Sequence, residues 1–424
     1  MSKEVHHKKK KLNIFKVIFL LIVITMIVVV VQGLFNNSNE ESFLAIEKEE
    51  EKIPEDSVAN IVAIGDTLVH SQVYKDAYDS STGEYDFSPL FKYITKYFED
   101  KTIAVGNLET TFAGSARSVS GYPLFNSPEH LAIDLKELGL DIMTTANNHS
   151  LDSRYAGIES TLDFLDEAGL DHTGTSRSEE EQNTILMKDL NGIKTAFLCF
   201  SYGTNGNPIP SGKEYCINLI DKELMKRLID KAKEEGAEAI CVSMHWGVEY
   251  QTKQNKEQEE LADFLLENDV NVILGCHSHV PQPMEMRTVT MEDGTTKTGF
   301  VIYSMGNFFS AQKDINTRDT VILNVQIRKN GVTGEITIDQ ATYAPVYDYD
   351  NGQGAKDRYE LLDLKGIVED YEAGNGNWSK TKYDLAKAEI ERITKIVGPE
   401  IFNRTEESEA ENIKENETFE NKVK

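Results

Sequence analysis

Residues 140–152 read LDIMTTANNHSLD, an apolar run of strand type that ends in polar side chains. Asn147, Asn148 and His149 follow the run, and Asp152 comes three residues after the histidine. Amide oxygens, imidazoles and carboxylates can bind metal ions or exchange protons. A strand that ends in such groups predicts an α/β fold whose chemistry lies at one edge of a sheet.

Outward from this stretch, apolar β-branched runs alternate with segments of helical period. The runs are 58–64, 102–106, 140–145, 193–200, 237–244, 270–275 and 299–305, and the helical segments are 156–168, 221–235 and 256–268. This alternation predicts a largely parallel, buried sheet. A late antiparallel hairpin is predicted for 319–328 and 332–342, with its turn at Asn330-Gly331. A helix over 380–397 is predicted to close the domain.

Four more of these runs end on side chains that can bind metal or move protons. Asp66 follows the run 58–64, and Asn107 and Glu109 follow 102–106. His245 and Glu249 follow 237–244, and His277 and His279 follow 270–275. Because the carboxyl ends of parallel strands meet at one edge of a sheet, we expect these side chains to converge on one patch. The mixture of imidazole, carboxylate and amide oxygen, without paired cysteines, suits a divalent transition metal: Mn, Fe, Zn or Co.

Several side chains near this patch have two interpretations each. Asp152 either orients the His149 ring or is an acid at a helix N-terminus. Trp246 is either a substrate platform or a core residue, and Glu249 is either a general base or a solvated loop acid. Asn307, within YSMGNFF (303–309), follows a strand and is a candidate to line the site.

The distribution of charge excludes one class of partner. The formal net charge is −27, although residues 1–16 hold six lysines against one glutamate. The rest of the chain is therefore strongly acidic and repels nucleic-acid phosphate, so we expect no nucleic-acid binding.

Residues 17–35 (VIFLLIVITMIVVVVQGLF) carry no charge and predict a transmembrane anchor. The basic segment 1–16 places the amino end in the cytoplasm and the main domain outside the cell. A cleaved signal peptide would give the same outside location. Polar, acidic residues at 36–57 predict a stalk, 58–404 the main domain, and 405–424 an acidic disordered tail.

Four cysteines are too few for a disulfide scaffold and show no CxxC spacing. We interpret them as small buried core residues, with a bridge between Cys199 and Cys216 as the alternative.

The motifs together resemble the CapA family of poly-γ-glutamate capsule biosynthesis proteins, also called PgsA, in the metallophosphatase (calcineurin-like) superfamily. The resemblance covers residues 58–345. It rests on the segments GDTLVH (65–70), GNLETTF (106–112), NNHSLD (147–152), SMHWGVEY (243–250), GCHSHVPQP (275–283) and YSMGNFF (303–309). It implies a layered α/β sandwich with one or two metal ions at its strand ends.

The resemblance also implies roles for individual residues. Asn148 would be a metal ligand and His149 an acid, with Asp152 as its catalytic neighbour. The implied metal ligands are Asp66, Glu109, Asn148, His245, His277 and His279. Five further residues are candidates for substrate contacts or secondary roles: Asn107, His70, Trp246, Glu249 and Asn307.

Two positions depart from the superfamily pattern. Its opening Asp-x-His block has leucine at position 68 here, and His70 is the nearest imidazole. Its metal-bridging Gly-Asp block appears as Gly106-Asn107, with a carboxylate only at Glu109. A single ion and a pair bridged through Glu109 both remain open.

The resemblance implies a membrane-anchored extracellular component of poly-γ-glutamate synthesis or export, with the anionic polymer and its membrane synthase subunits as partners. One alternative is a metal-dependent hydrolase of phosphoesterase type that acts on another envelope substrate. A second alternative is a non-catalytic assembly subunit of a polymer synthase.

Overall fold

The computed structural model describes residues 22–23, 25–32, 54–291 and 293–403. The chain divides into two compact units, Met1–Pro54 and Glu55–Lys424. In the first unit the described residues 22–23 and 25–32 are helical. Among all described residues, no helix is both long and apolar enough to span a bilayer. The rest of the expected anchor, the basic segment, most of the stalk and the acidic tail lie outside the described residues.

The second unit is built from short strands and helices in mixed order. Its strands are β1 (Ser57–Thr67), β2 (Tyr78–Asp79), β3 (Glu84–Tyr85), β4 (Ile103–Leu108), β5 (Ile142–Thr144), β6 (Asp171–Thr173), β7 (Leu186–Leu190), β8 (Ile193–Ser201), β9 (Ala239–His245), β10 (Val272–Cys276), β11 (Met284–Thr290), β12 (Thr296–Ile302), β13 (Asn307–Phe309), β14 (Asp319–Lys329), β15 (Ile336–Asp350), β16 (Tyr359–Asp363) and β17 (Ile401–Phe402). Its α-helices are α1 (Ser71–Asp76), α2 (Ser88–Phe91), α3 (His130–Leu138), α4 (Arg154–Ala168), α5 (Glu179–Gln182), α6 (Lys222–Glu234), α7 (Lys256–Glu267), α8 (Leu364–Glu372) and α9 (Lys380–Val397).

These strands form two large sheets, where the alternation of strands and helices alone predicted one. The first has the order β16-β15-β14-β1-β4-β5-β6, with β13 beside β1 and β17 beside β15. The second has the order β11-β12-β10-β9-β8-β7. Strands β1, β4, β5 and β6 are parallel, as are β8, β9, β10 and β12, and β13 is parallel to β1. The remaining strands of the two sheets pair antiparallel: β7, β11, β14, β15, β16 and β17. The predicted parallel pairing is therefore confirmed for one half of the first sheet, from β1 to the edge strand β6, and for the centre of the second sheet.

The two sheets pack face to face, and helices cover their outer faces. Along β1, Ala59, Ile61 and Ala63 contribute to the core between the sheets, together with residues of β9 and β10. The alternate residues Val62 and Ile64 contribute to the core under α3 and α4. A third core lies between the second sheet and helices α6 and α7. Because both faces of the central strands are buried, their sequences are continuously apolar. The predicted layered α/β sandwich is confirmed.

The end of the chain follows the predictions with one correction. Strands β14 and β15 form the expected antiparallel hairpin, and α9 matches the predicted closing helix, capped by the Ser379 side chain. The prediction of a tight turn at Asn330-Gly331 is wrong, because Lys329 pairs with Ile336 and a longer loop joins the strands. The Asn330 side chain accepts hydrogen bonds from the backbone N–H groups of Val332 and Thr333, which stabilises that loop.

All four cysteines are buried and free. The interpretation as core residues is confirmed, and the alternative bridge between Cys199 and Cys216 is not formed.

Close backbone contact between β1 and the segment before β13 requires glycine at position 65. The Asp66 N–H donates to the Gly306 carbonyl at 3.0 Å, and a Cβ on residue 65 would lie 1.8 Å from that oxygen. Residue 65 precedes Asp66, so this contact also sets the backbone that carries a site residue.

We therefore expect Gly65→Ala to destabilise the chain by about 1–3 kcal/mol, the usual cost of overpacking. Thermal unfolding followed by circular dichroism measures this as a lowered Tm. Gly203→Ala is the matched control, because nothing lies within 4 Å of a Cβ there. Equal melting temperatures for the two variants would contradict the packing argument.

Candidate metal centre

Side chains from both sheets meet at the carboxyl ends of their parallel strands. Asp66 lies near the end of β1, Glu109 just after β4, His245 at the end of β9, and His277 and His279 just after β10. Each is at most 3% exposed. Ligand atoms lie within 4.8 Å of one another in three overlapping groups: Glu109, His245 and His277; Asp66, Glu109 and His279; and Glu249, His277 and His279.

Asp66 is held in place from three directions. Asn107 Nδ2 donates to its Oδ1 at 2.8 Å, and the backbone N–H of His277 donates to Oδ2 at 3.1 Å. His279 Nδ1 lies 3.5 Å from the same Oδ2. Burial raises the pKa of the Asp66 carboxyl, but the hydrogen bond with His279 and the nearby His245 ring outweigh burial and lower that pKa to about 2. Asp66 is therefore an ionised ligand candidate at neutral pH.

Glu109 is buried without a hydrogen-bond partner. Neither of its carboxylate oxygens has one among the described residues. The closest histidine nitrogens are His245 Nε2, at 3.6 Å from Oε1, and His279 Nδ1, at 3.8 Å from Oε2. Burial and the charge of Asp66 raise the pKa of Glu109 well above its usual range. Buried polar groups are normally paired, so two orphaned oxygens beside three imidazoles fit a cation as the missing partner.

His245 and His277 present neutral nitrogens to the same point. Burial and the neighbouring His279 lower the pKa of His277 to about 3, and burial and His277 lower the pKa of His245 well below its usual range. His277 Nδ1 is also buried without a partner among the described residues. A neutral imidazole has a free lone pair, which is the form that binds a metal.

The backbone at the two histidines after β10 is strained. His277 has a φ of +96° and His279 a φ of +59°, which are uncommon for residues other than glycine. Such conformations cost free energy and are often found at binding sites. Here they place the two rings 6.0 Å apart, with His277 beside His245 at 4.8 Å.

The NNHSLD segment supplies a second set of groups at the same edge. Asn148 Oδ1 lies 3.0 Å from Nε2 of His245, one of the clustered imidazoles. His149 Nδ1 lies 2.7 Å from Asp152 Oδ2, and that oxygen also accepts the Phe125 N–H at 2.6 Å. Of the two interpretations of Asp152, the contacts match the one in which it orients the His149 ring. Asn205 Nδ2 lies 3.3 Å from the other ring nitrogen of His149.

Asn107 acts on its neighbours and offers no oxygen to the cluster. Its Nδ2 donates to Asp66 and lies 3.4 Å from His245 Nδ1. Its Oδ1 accepts from Thr144 and Asn147 at 3.4 Å each. Asn107 is therefore a residue that positions Asp66.

The remaining candidates lie at different distances from the cluster. Asn307 is buried and its Oδ1 lies 3.0 Å from His279 Nδ1. Glu249 is partly exposed and lies 4.0 Å from His279 Nε2, at the mouth of the site. His70 stays outside the three ligand groups: its Nδ1 accepts the Ala311 N–H, and burial lowers its pKa to about 4.

Of the two interpretations of Trp246, the structure agrees with the core residue. It is 1% exposed, and its Nε1 donates to the Tyr303 carbonyl at 2.9 Å inside the core of the second sheet. The residue next to His245 along the strand points to the opposite face, so Trp246 packs under α7 and provides no substrate platform.

Tyr202 is a site residue that the sequence analysis missed. Its ring centre lies 4.4 Å from that of His277, and its hydroxyl accepts from Asn148 Nδ2 at 3.3 Å. It follows β8, whose end carries no carboxylate or imidazole. The only signal in the sequence was the position of Tyr202 directly after β8, a parallel strand of the second sheet.

Comparison with known proteins agrees with these motifs. Residues 60–312 match the family described as bacterial capsule synthesis protein PGA_cap. The chain belongs to this family. It is 27% identical over 300 residues to the PGA biosynthesis protein CapA of Bacillus subtilis (strain 168), covering 69% of this chain and 74% of that protein. It is 26% identical over 251 residues to the capsule biosynthesis protein CapA of Bacillus anthracis, covering 57% of this chain and 58% of that protein.

Solved structures show more distant likenesses to this family member. One is the NAD nucleotidase NadN of Haemophilus influenzae, with 11% identity, a TM-score of 0.42, and coverage of 80% of this chain and 61% of that one. Another is the calcineurin-like phosphoesterase YfkN of Bacillus subtilis, with 16% identity, a TM-score of 0.38, and coverage of 68% of this chain and 90% of that one.

We expect Glu109→Gln to abolish most of the stabilisation that a divalent metal gives. A ligand at ~100 times its Kd stabilises the native state by about 2.7 kcal/mol, so wild-type Tm should rise on adding Mn²⁺ or Zn²⁺. Removing the charge of Glu109 should suppress that rise without lowering the metal-free Tm, because the orphaned carboxylate contributes no hydrogen bond there.

Glu249→Gln is the matched control, since its carboxylate is partly exposed and lies at the edge of the cluster. It should keep most of the metal-dependent rise in Tm. The interpretation of Glu109 as a ligand is refuted if its variant responds to metal like the wild-type chain.

Proposed function

We propose that this chain is a membrane-anchored, extracellular component of poly-γ-glutamate synthesis or export that carries a divalent transition-metal centre. The observation that carries the proposal is the pair of orphaned Glu109 oxygens, buried beside His245 and His279. Family membership supports the link to the polymer, and the Bacillus subtilis relative is a PGA biosynthesis protein.

The proposed ligands combine carboxylate, imidazole and amide oxygen. They are Asp66, Glu109, Asn148, His245, His277 and His279. This donor set suits Mn, Fe, Zn or Co. The amide at position 107 supports a single ion, because Asn107 donates to Asp66, and a second ion would have to be bridged by Glu109.

When bound, such an ion lowers the pKa of a coordinated water and polarises a phosphoryl or carbonyl oxygen. The chain's own contribution to chemistry is the pair of His149 and Asp152. Asp152 holds the His149 ring through Nδ1, so Nε2 is the atom that would give or take a proton. Asn205 lies beside Nε2 and would be displaced or shared by a substrate.

A bound metal ion would also offset the repulsion between this acidic chain and an anionic polymer. An anionic polymer is repelled by a domain of this acidity, whose chain carries a net charge of −27. A bound cation reverses the local field and gives carboxylates of the polymer a favourable contact. The proposed polymer partner therefore depends on the metal centre.

The anchoring part of the proposal rests on the lysines of residues 1–16 and the uncharged run 17–35. The same anchor is the proposed contact with synthase subunits in the membrane. We expect protease added to intact protoplasts to remove the main domain from the membrane fraction, as read by immunoblotting. A domain that is cleaved only after lysis would contradict the proposed topology.

Two other functions have support of their own. The His149–Asp152 pair favours a metal-dependent hydrolase of phosphoesterase type acting on another envelope substrate. A non-catalytic assembly subunit of the synthase would need the fold and the anchor but not the metal.

Deletion of the gene in its host should reduce or abolish cell-bound or released poly-γ-glutamate, quantified as acid-released glutamate. Complementation with wild type should restore it, and His245→Ala should fail to restore polymer of normal amount and length, because that histidine is a proposed ligand. His149→Ala should retain metal and yet give the same defect if proton transfer is required.

The outcomes separate the three functions. If His245→Ala restores normal polymer, the metal is dispensable, and the non-catalytic assembly subunit is the function that remains. If the deletion strain keeps its polymer and accumulates a phosphoester, the polymer function is contradicted and the hydrolase function is supported.

A further inference from the structure

A second polar cavity lies beside the proposed metal centre. It has a volume of 350 Å³, within the range of small-molecule sites. One residue links the two places: Asn307 contacts His279 through Oδ1, and its Nδ2 donates to Gln312 Oε1 at 3.0 Å and Ser310 Oγ at 3.2 Å. Gln312 and Ser310 line the cavity.

The cavity wall is cationic, in a chain that is otherwise acidic. Lys313, Arg318 and Arg358 line it, and Arg358 is neutralised by two bonds to Asp350 at 2.7 Å each. Within residues 54–291 and 293–403, no carboxylate forms an ion pair with Lys313 or Arg318. The charge of Arg318 acts on the carboxyls of Asp348 and Asp350 from beyond ion-pair distance. An anion that enters the cavity could therefore contact Arg318 and Lys313 directly.

Asp348 gives the cavity a buried group that lacks a partner. It is 4% exposed, and its Oδ2 accepts the Ser310 N–H at 2.8 Å. Its Oδ1 has no hydrogen-bond partner among the described residues, and Asp348 lines the cavity. Burial raises the pKa of this carboxyl to about 7. It can thus accept a hydrogen bond when ionised or donate one when protonated.

We propose that this cavity binds a segment of the polymer chain, with Arg318 and Lys313 pairing with a side-chain carboxylate and Asp348 hydrogen-bonding a backbone amide. The inference rests on the proposed function and adds a subsite to it. A polyamide that bears carboxylates satisfies both requirements at once. A phosphate chain satisfies only the cations, because it has no N–H group to donate to Asp348.

The test measures binding of a fluorescent oligo-γ-glutamate to the full-length chain, purified in detergent with Mn²⁺ present, by fluorescence anisotropy. Arg318→Gln should weaken binding about tenfold, the usual effect of losing a charge-assisted hydrogen bond. Lys313→Gln, at an exposed position, should weaken it less. Arg227→Gln on α6 removes the same charge outside the cavity and should bind like the wild type.

Each result decides the inference. The subsite is supported if Arg318→Gln binds the oligomer more weakly with an unchanged Tm while Arg227→Gln keeps wild-type affinity. Wild-type affinity for Arg318→Gln overturns it while leaving the proposed function intact, and equal losses in Arg318→Gln and Arg227→Gln overturn it as a general charge effect. Polyphosphate that competes as well as the oligomer overturns the assignment to a polyamide. A wild-type chain that binds no oligomer contradicts both this subsite and the proposed polymer partner.

Discussion

The rest of the site depends on one constraint, the burial of the Glu109 carboxylate beside Asp66. Two acids in a dry interior disfavour each other's ionised form, and Glu109 has no hydrogen bond to offset that cost. Asp66 is stabilised as an anion by Asn107 and His279, which leaves Glu109 as the group without compensation. A divalent cation among these oxygens and the nearby imidazoles removes the conflict. The buried acids are then a property of the binding site and a cost to the metal-free fold.

The backbone conformation around the cluster brings the carboxylates and the histidine rings close together. Gly65 allows β1 to approach Gly306, and this brings Asp66 within reach of the His277 N–H. His277 and His279 adopt positive φ values so that both rings lie near the carboxylates. The two sheets contribute opposite halves of the site, with carboxylates on β1 and after β4, and histidines on β9 and after β10. Packing between the sheets therefore fixes the distance between the proposed ligands.

Much of this could be predicted from local sequence. Apolar runs and helical periods located the central strands and α9, because burial on one or both faces leaves a periodic signature. Strand-end chemistry gathered the carboxylates and histidines correctly into one place. Local periodicity does not record which strands pair, so one sheet was predicted where two exist. Tyr202 was missed because a tyrosine in a loop has no distinctive spacing. Both interpretations of Trp246 stayed open because sequence proximity to His245 does not show which face a residue occupies.

The most direct test of a metal centre is anomalous diffraction, at the absorption edge of the metal, from crystals of the chain grown with Mn²⁺ or Zn²⁺. The account predicts a peak within about 2.0–2.3 Å of a Glu109 oxygen and a His277 ring nitrogen, the distances of carboxylate and imidazole ligands to such ions. Diffraction that shows no peak at this cluster, with the Glu109 oxygens bonded to protein groups, would contradict it.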